Sequence, residues 1–118
     1  MYGIYVSRLW AQVSAGPVPR HLAIILDGNR RFTRRSGLGS VRQGYAAGAD
    51  RVLDVIRWSA RAGVSVVTLW AVSLDNLQRP ANQVGQLFEV LESAIGDLIT
   101  VARREGWQLR GIGRSDLL

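Results

Sequence analysis

The sequence predicts an α/β fold in which helices pack on a parallel sheet. Apolar runs rich in β-branched residues alternate along the chain with stretches of helical periodicity. Of its 118 residues, 47% are hydrophobic and only 20% are charged, which is typical of a chain that folds as a globular domain. Because strands that alternate with helices are joined by right-handed crossovers, we expect the strands to be parallel.

The first predicted elements are a helix and a strand. Near the start of the chain, apolar residues recur at spacings of three and four, at Tyr2, Tyr5, Leu9, Trp10 and Val13. This spacing predicts a short amphipathic helix, which the Gly16-Pro17 pair ends. The unbroken apolar run 22–26 predicts a strand that is covered on both faces, as parallel strands are.

A second helix and a second strand are predicted next. Ser40 and Gln43 have the spacing of a capping box, which predicts that a helix begins there. Its apolar face consists of Tyr45, Ala49, Val52, Leu53, Ile56 and Ala60. Gly63 is placed to end this helix, and the β-branched run 64–72 predicts the second strand.

The clearest periodicity lies in the second half of the chain. Pro80 fits the first turn of a helix, where its missing N–H is harmless. The apolar stripe that follows consists of Val84, Leu87, Phe88, Leu91, Ile95, Leu98, Ile99 and Ala102. Arg103 and Arg104 suit the negative end of the helix dipole, and Gly106 suits the stop. Alternation over residues 107–112 predicts a third strand.

Composition narrows the classes of partner and compartment. All 15 basic residues are arginine and the net charge is +6, which favours an anionic partner such as phosphate. No nucleic acid is expected, because aromatic residues do not interleave with the arginines as a stacking platform requires. The absence of cysteine excludes disulfides and thiolate metal sites and indicates a cytoplasmic protein. The longest charge-free stretch, residues 62–74, is too short to cross a bilayer.

The segment after the first predicted strand is a candidate diphosphate cradle. Ligands of parallel sheets bind beyond the carboxyl ends of the strands. In the run D-G-N-R-R-F at 27–32, Gly28 permits close backbone approach and Arg31 can clamp a phosphate. Asp27 would repel that ligand unless a divalent cation such as Mg²⁺ lay between them. Asp-Gly and Gly-Asn are also ordinary turn pairs, so a plain turn is the alternative.

The segment after the second predicted strand is also polar. Ser73, Asp75, Asn76 and Arg79 offer a hydroxyl, a carboxylate, an amide and a guanidinium, which suit orientation of a polar head group and relay of a proton. A helix-entry loop in which Asp75 or Asn76 satisfies backbone amides is the alternative.

Taken together, three motifs resemble the cis-prenyltransferases, the undecaprenyl diphosphate synthase family. They are H-L-A-I-I-L-D-G-N-R-R-F at 21–32, G-Y-A-A-G at 44–48 and V-S-L-D-N-L-Q-R-P at 72–80, and the final run R-G-I-G-R-S-D-L-L fits as well. The likeness is nearest to short-chain members that make Z-farnesyl-type diphosphates. It implies that residues 19–118 form the amino-terminal half of a prenyltransferase domain, after a helix and linker at 1–18.

The resemblance also implies an activity and its cofactor. The family condenses an allylic diphosphate with isopentenyl diphosphate to form a cis double bond and requires Mg²⁺. By this likeness, Asp27 would handle the metal and the diphosphate, while Gly28, Asn29 and Arg31 would hold the allylic diphosphate. Phe32 stands where the family has an aromatic residue, usually Trp.

The remaining implied roles concern the second polar segment and the assembly. Ser73 and Asn76 would act with Asp27 as catalytic residues that assist proton removal, and Arg79 would border the same site. Family members are dimers, and an apolar product allows contact with a membrane surface.

The sequence departs from the family pattern in several places. Tyr45 stands where the family has His, and His21, the only histidine, is expected to be structural. The Arg expected nearby aligns with Ser40 or, after a shift, with Arg42. The family's R-x-S-G-E-x-R-x-S motif, which binds isopentenyl diphosphate, is not in this sequence, so we expect weak diphosphate binding without product formation. A non-catalytic relative that serves as accessory subunit of a complete partner is the alternative.

Overall fold

The computed structural model describes residues 2–114 and shows helices with a short parallel sheet. In chain order the elements are α1 (Tyr2–Ala15), β1 (His21–Ile25), α2 (Asn29–Arg35), α3 (Val41–Ala62), β2 (Val66–Trp70), α4 (Leu74–Leu77) and α5 (Ala81–Glu105). Contacts divide the chain into two compact units. The first contains the residues up to Leu26 with Asp54–Ala71, and the second contains Asp27–Leu53 with the residues from Val72 onward.

The sheet of the first unit confirms the predicted α/β class. β1 and β2 pair in parallel, with His21 opposite Val66 and Ile25 opposite Trp70. The pairing continues for one more bond, in which the Leu26 N–H donates to the Trp70 carbonyl at 3.2 Å. The carboxyl ends of the two strands therefore lie side by side.

The prediction that the first strand is covered on both faces is wrong. Both strands alternate between exposed and half-buried residues along their length. Ile25, Val66 and Trp70 all point to the exposed face, with 72%, 51% and 60% of their surface accessible. An unbroken apolar run therefore does not guarantee two covering layers, because the run fixes the residue types and not what packs on them.

The amino-terminal helix belongs to the first unit, as does the carboxyl end of α3. The helix predicted from the first apolar spacing is confirmed as α1. The Arg61 guanidinium of α3 lies over the Trp10 ring of α1, with its carbon 4.9 Å from the ring centroid. Other apolar residues of α1, including Tyr5, Leu9 and Val13, are exposed. Between residues 2 and 114, no helix is long and apolar enough to cross a membrane.

The long helix α5 belongs to the second unit and follows its predicted stripe. Val90, Val101 and Ala102 are buried, and Gly106 ends the helix in a left-handed conformation with φ of 71°. Its N–H donates to the Ala102 carbonyl, as the predicted glycine stop requires. Pro80 is the residue before the first helical residue, one position earlier than predicted.

The structure adds two short helices to the predicted elements and lacks one predicted strand. The polar stretch after β1 contains the helix α2, and the loop after β2 contains the single turn α4. The predicted third strand over residues 107–112 is wrong, because this segment has no regular structure. A strand needs a pairing partner, and alternation alone supplies none. The last four residues of the carboxyl-terminal motif, 115–118, lie outside the described part of the chain.

Candidate functional site

The first polar segment begins with a tight turn at Gly28. This glycine has φ of 89° and ψ of −4°, a left-handed conformation that residues with a Cβ rarely adopt. Its carbonyl accepts the first helical hydrogen bond of α2, from the Phe32 N–H at 2.8 Å. The Asp27 Oδ1 atom accepts the N–H of Gly28 at 2.5 Å. This bond gives Asp27 the role in a turn that the alternative interpretation describes. The Asp27 side chain is also exposed to solvent.

One side of α2 packs on the amino-terminal turns of α3. A Cβ added to Gly44 would lie 2.8 Å from the Asn29 carbonyl oxygen and would overlap the Thr33 hydroxyl. A Cβ added to Gly48 would overlap the Asn29 side-chain oxygen. Thr33 is only 6% exposed and donates its hydroxyl to the Asn29 carbonyl at 2.9 Å. The two glycines of G-Y-A-A-G therefore fix where Asn29 lies.

The arginines of α2 lie away from this contact. Arg30, Arg31, Arg34 and Arg35 are all exposed, and Phe32 keeps half of its surface accessible. The predicted clamp residue Arg31 is thus in reach of a ligand from solvent. Exposed guanidinium groups on one short helix also give this segment a concentrated positive charge.

In the second polar segment, Ser73 and Asn76 bind each other. The Asn76 Nδ2 atom donates to the Ser73 hydroxyl oxygen at 3.0 Å, and the Asn76 Oδ1 atom accepts the Ser73 N–H at 3.3 Å. Both side chains are half-buried. This bears out the helix-entry interpretation for Asn76, since its amide satisfies a backbone N–H before α4. The Ser73 hydroxyl proton and the second Asn76 amide proton are not used in these two bonds.

Arg79 closes the second segment with a contact to α3. Its Nη1 atom donates to the Tyr45 hydroxyl oxygen at 2.9 Å, although the residues are 34 positions apart. Tyr45 is 4% exposed, and Arg79 is half-buried. Residues 44–48 of α3 therefore contact both polar segments of the second unit, through Asn29 in one and Arg79 in the other.

Sequence reasoning missed this role of Tyr45. The apolar periodicity predicts only that Tyr45 lies on the apolar face of its helix, at the position where the family has His. A buried tyrosine hydroxyl needs a hydrogen-bond partner, so a tyrosine in an apolar stripe was the available signal. No spacing rule could have named Arg79 as that partner.

The other departures from the family pattern also have definite positions. Arg42 pairs with Glu89 of α5 at 3.4 Å, and both side chains are mostly exposed. The Ser40 hydroxyl accepts the Gln43 N–H at 3.3 Å at the start of α3, as the capping spacing predicts. The His21 ring bonds to the Thr68 hydroxyl at 2.8 Å within the sheet, which supports the structural interpretation of this residue.

Binding of a metal ion at this site depends on how many carboxylates can coordinate it. Across the described residues, no group of three or more His, Asp or Glu side chains is placed to hold a metal ion. Asp27 is a single exposed carboxylate. Mg²⁺ commonly takes one or two protein carboxylates and completes its shell with water and substrate phosphate oxygens. Asp27 therefore fits a metal that arrives together with a phosphate ligand.

Comparison with known proteins identifies relatives along the whole chain. The family model for undecaprenyl diphosphate synthase matches residues 25–118. The chain is 42% identical over 118 residues to a (2Z,6E)-farnesyl diphosphate synthase of Thermobifida fusca, covering all of this chain and 45% of that protein. It is 38% identical over 115 residues to isoprenyl transferase 2 of Streptomyces coelicolor, covering 98% of this chain and 44% of that protein. A short-chain Z-isoprenyl diphosphate synthase of Mycobacterium leprae is 33% identical over 120 residues. The chain spans less than half the length of these relatives.

Proposed function

The chain belongs to the undecaprenyl diphosphate synthase family of prenyltransferases, and on this premise we propose that it supplies the allylic-diphosphate half of an isoprenyl transferase site. The reaction would join the allylic substrate to isopentenyl diphosphate and form a cis double bond. The relatives named as Z-farnesyl and Z-isoprenyl diphosphate synthases support this chemistry. The structural observation that carries it is the contact of both polar segments with residues 44–48 of α3.

The first segment would bind the diphosphate of the allylic substrate. Gly28 leaves the backbone open, with no atom within 4 Å of where a Cβ would stand. Asn29, fixed against Gly48, would orient the phosphate, and exposed Arg31 would clamp it with its planar guanidinium. Phe32 would contact the apolar chain, since half of its surface is accessible.

Asp27 would hold Mg²⁺ against that diphosphate. When bound there, Mg²⁺ would neutralise negative charge on the diphosphate leaving group. The carboxylate keeps one oxygen on the Gly28 N–H, which fixes the orientation of the other oxygen. Without a cation between them, the negative charges of the Asp27 carboxylate and of a diphosphate would repel each other.

The second segment would act after the new carbon–carbon bond begins to form. In the condensation, the allylic carbon–oxygen bond breaks and releases diphosphate, and the terminal alkene carbon of isopentenyl diphosphate bonds to that allylic carbon. The neighbouring tertiary carbon becomes electron-poor, and a proton leaves the CH2 group on its other side, which forms the new double bond. Ser73 and Asn76 would assist the removal of this proton, since their mutual hydrogen bonds hold the Ser73 hydroxyl in one place. Arg79 would add positive charge beside the diphosphate.

The proposal extends to assembly and location. We propose a cytoplasmic homodimer whose apolar product brings it to a membrane surface. The lack of cysteine supports a reducing compartment, and the exposed apolar side chains of α1 and of the sheet offer surface for association.

Calorimetric titration with geranyl diphosphate in the presence of Mg²⁺ tests the proposed function. Arg31→Gln should weaken binding about tenfold to hundredfold, because it removes a charge-assisted contact to phosphate. Arg34→Gln removes another exposed arginine of the same helix and serves as the matched control. Equal losses in the two variants, or no binding by the unmodified chain, would contradict the proposed diphosphate site.

A further inference from the structure

We propose that Tyr45 is a positioning residue that holds the Arg79 guanidinium for the diphosphate of the substrate. This role presupposes the proposed function, because it concerns the same ligand. It gives the buried tyrosine a task beyond packing. Within the described part of the chain, neither residue pairs with a carboxylate, so the arginine would meet the ligand with its full charge.

The first support is the depth of the phenol. Tyr45 is 4% exposed, the most buried aromatic side chain between residues 3 and 114. A hydroxyl at that depth has little access to water, and a buried polar group without a partner is costly. The Arg79 Nη1 atom supplies the partner at 2.9 Å. The bond therefore fixes one end of the guanidinium.

The second support is the hydrogen-bonding capacity that remains. A guanidinium carries several N–H donors in a rigid plane, and the bond to Tyr45 uses one of them. The phenol accepts in this bond and brings no charge. Among the described residues, the ion pairs with carboxylates do not include Arg79. A fixed, uncompensated fork of donors is suited to an anion with several oxygens.

The third support is the place of Tyr45 in its helix. Gly44 precedes Tyr45 in the helix, and Gly48 lies one turn later. Both glycines pack closely against Asn29 of the first polar segment. Tyr45 lies between these two glycines in sequence, and its hydroxyl accepts a hydrogen bond from Arg79 of the second polar segment. A single rigid turn of α3 thus sets the positions of Asn29 and Arg79 together, and both are proposed ligands of one diphosphate.

A double-mutant cycle with Tyr45→Phe and Arg79→Gln tests this role. Tyr45→Phe keeps the ring and deletes only the hydroxyl, and Tyr5→Phe at an exposed position of α1 is the matched control. Affinity for geranyl diphosphate should fall about fivefold to tenfold in Tyr45→Phe and stay constant in Tyr5→Phe. In the Arg79→Gln background, Tyr45→Phe should have no further effect on affinity.

A spectroscopic measurement on the same variants is independent of the ligand. The side-chain NMR signals of the Arg79 guanidinium should show slowed rotation in the unmodified chain and free rotation in Tyr45→Phe. Unchanged affinity in Tyr45→Phe, or additive losses in the cycle, would overturn the role of Tyr45 while leaving the proposed function intact. No binding by the unmodified chain would overturn both.

Discussion

Gly44 faces the carbonyl oxygen of Asn29 so closely that a methyl group on the glycine would lie 2.8 Å from that oxygen. The contact brings the backbone of α2 against the backbone of α3. Only a residue without a side chain allows this approach. The first polar segment therefore takes its position from a glycine in a different motif.

Gly44→Ala should destabilise the chain by about 1 to 3 kcal/mol, because the methyl group meets backbone that must move. Gly96→Ala in α5 is the matched control, since no atom lies within 4 Å of its added methyl group. That substitution should stabilise the helix by about 0.5 to 1 kcal/mol. Urea unfolding of both variants measures the difference, and equal effects would contradict the close packing of α2 on α3.

Gly28→Ala should destabilise the chain by about 1 kcal/mol through backbone strain rather than through a clash. The residue has φ of 89°, and no atom lies near an added methyl group. Gly28→Asn should cost less, because asparagine tolerates the left-handed conformation better than alanine. Thermal unfolding of the two variants tests this order, and a more stable alanine variant would show that the turn does not need its left-handed residue.

Arg42→Ala should leave affinity for geranyl diphosphate unchanged. Arg42 forms an ion pair with Glu89, and both side chains are more than half exposed. Exposed ion pairs contribute only about 0 to 1 kcal/mol to the free energy of unfolding. Glu89→Ala should therefore lower stability by no more than that amount. Calorimetric titration of Arg42→Ala decides whether this arginine takes the place of the family residue expected near Ser40, since a loss of affinity would assign it to the site.

Trp70→Lys should reduce self-association of the chain. Trp70 lies with Ile25 and Val66 on the open face of the sheet, where their apolar surface is accessible. A charge on that face opposes contact between copies. Sedimentation at micromolar concentrations should show association for the unmodified chain and less for Trp70→Lys, with Leu74→Lys, an exposed leucine in α4, as control. A monomeric unmodified chain would contradict this expectation.

The regular elements of the fold could be predicted because local patterns determine them. The stripes of α3 and α5, the glycines Gly63 and Gly106, and the apolar runs of both strands all carried the signal along the chain. The short helix α2 was missed because its polar, arginine-rich sequence has no apolar stripe. The third strand failed for the opposite reason, since alternation over residues 107–112 cannot supply a pairing partner.

The candidate site was predictable only as two segments. Strand ends and residue chemistry singled out residues 27–35 and 73–79, but their common support on α3 depends on contacts between residues far apart in sequence. The Gly44 and Gly48 contacts follow from the three-dimensional approach of two helices. Tyr45 fits the apolar stripe of α3 as an ordinary packing residue. Periodicity therefore could not reveal its hydrogen bond to Arg79.

The most direct test of the proposed diphosphate site is the Mg²⁺ response of Asp27→Ala. Geranyl diphosphate is titrated calorimetrically into the unmodified chain, Asp27→Ala and the control Asp97→Ala, which removes an exposed carboxylate of α5, each with Mg²⁺ and with EDTA. Mg²⁺ should strengthen binding about tenfold or more in the unmodified chain and in Asp97→Ala, because the cation joins a carboxylate to the diphosphate. Asp27→Ala should bind equally well with and without Mg²⁺. An undiminished Mg²⁺ response in Asp27→Ala would contradict the assignment of Asp27 as the metal ligand and leave it a turn residue.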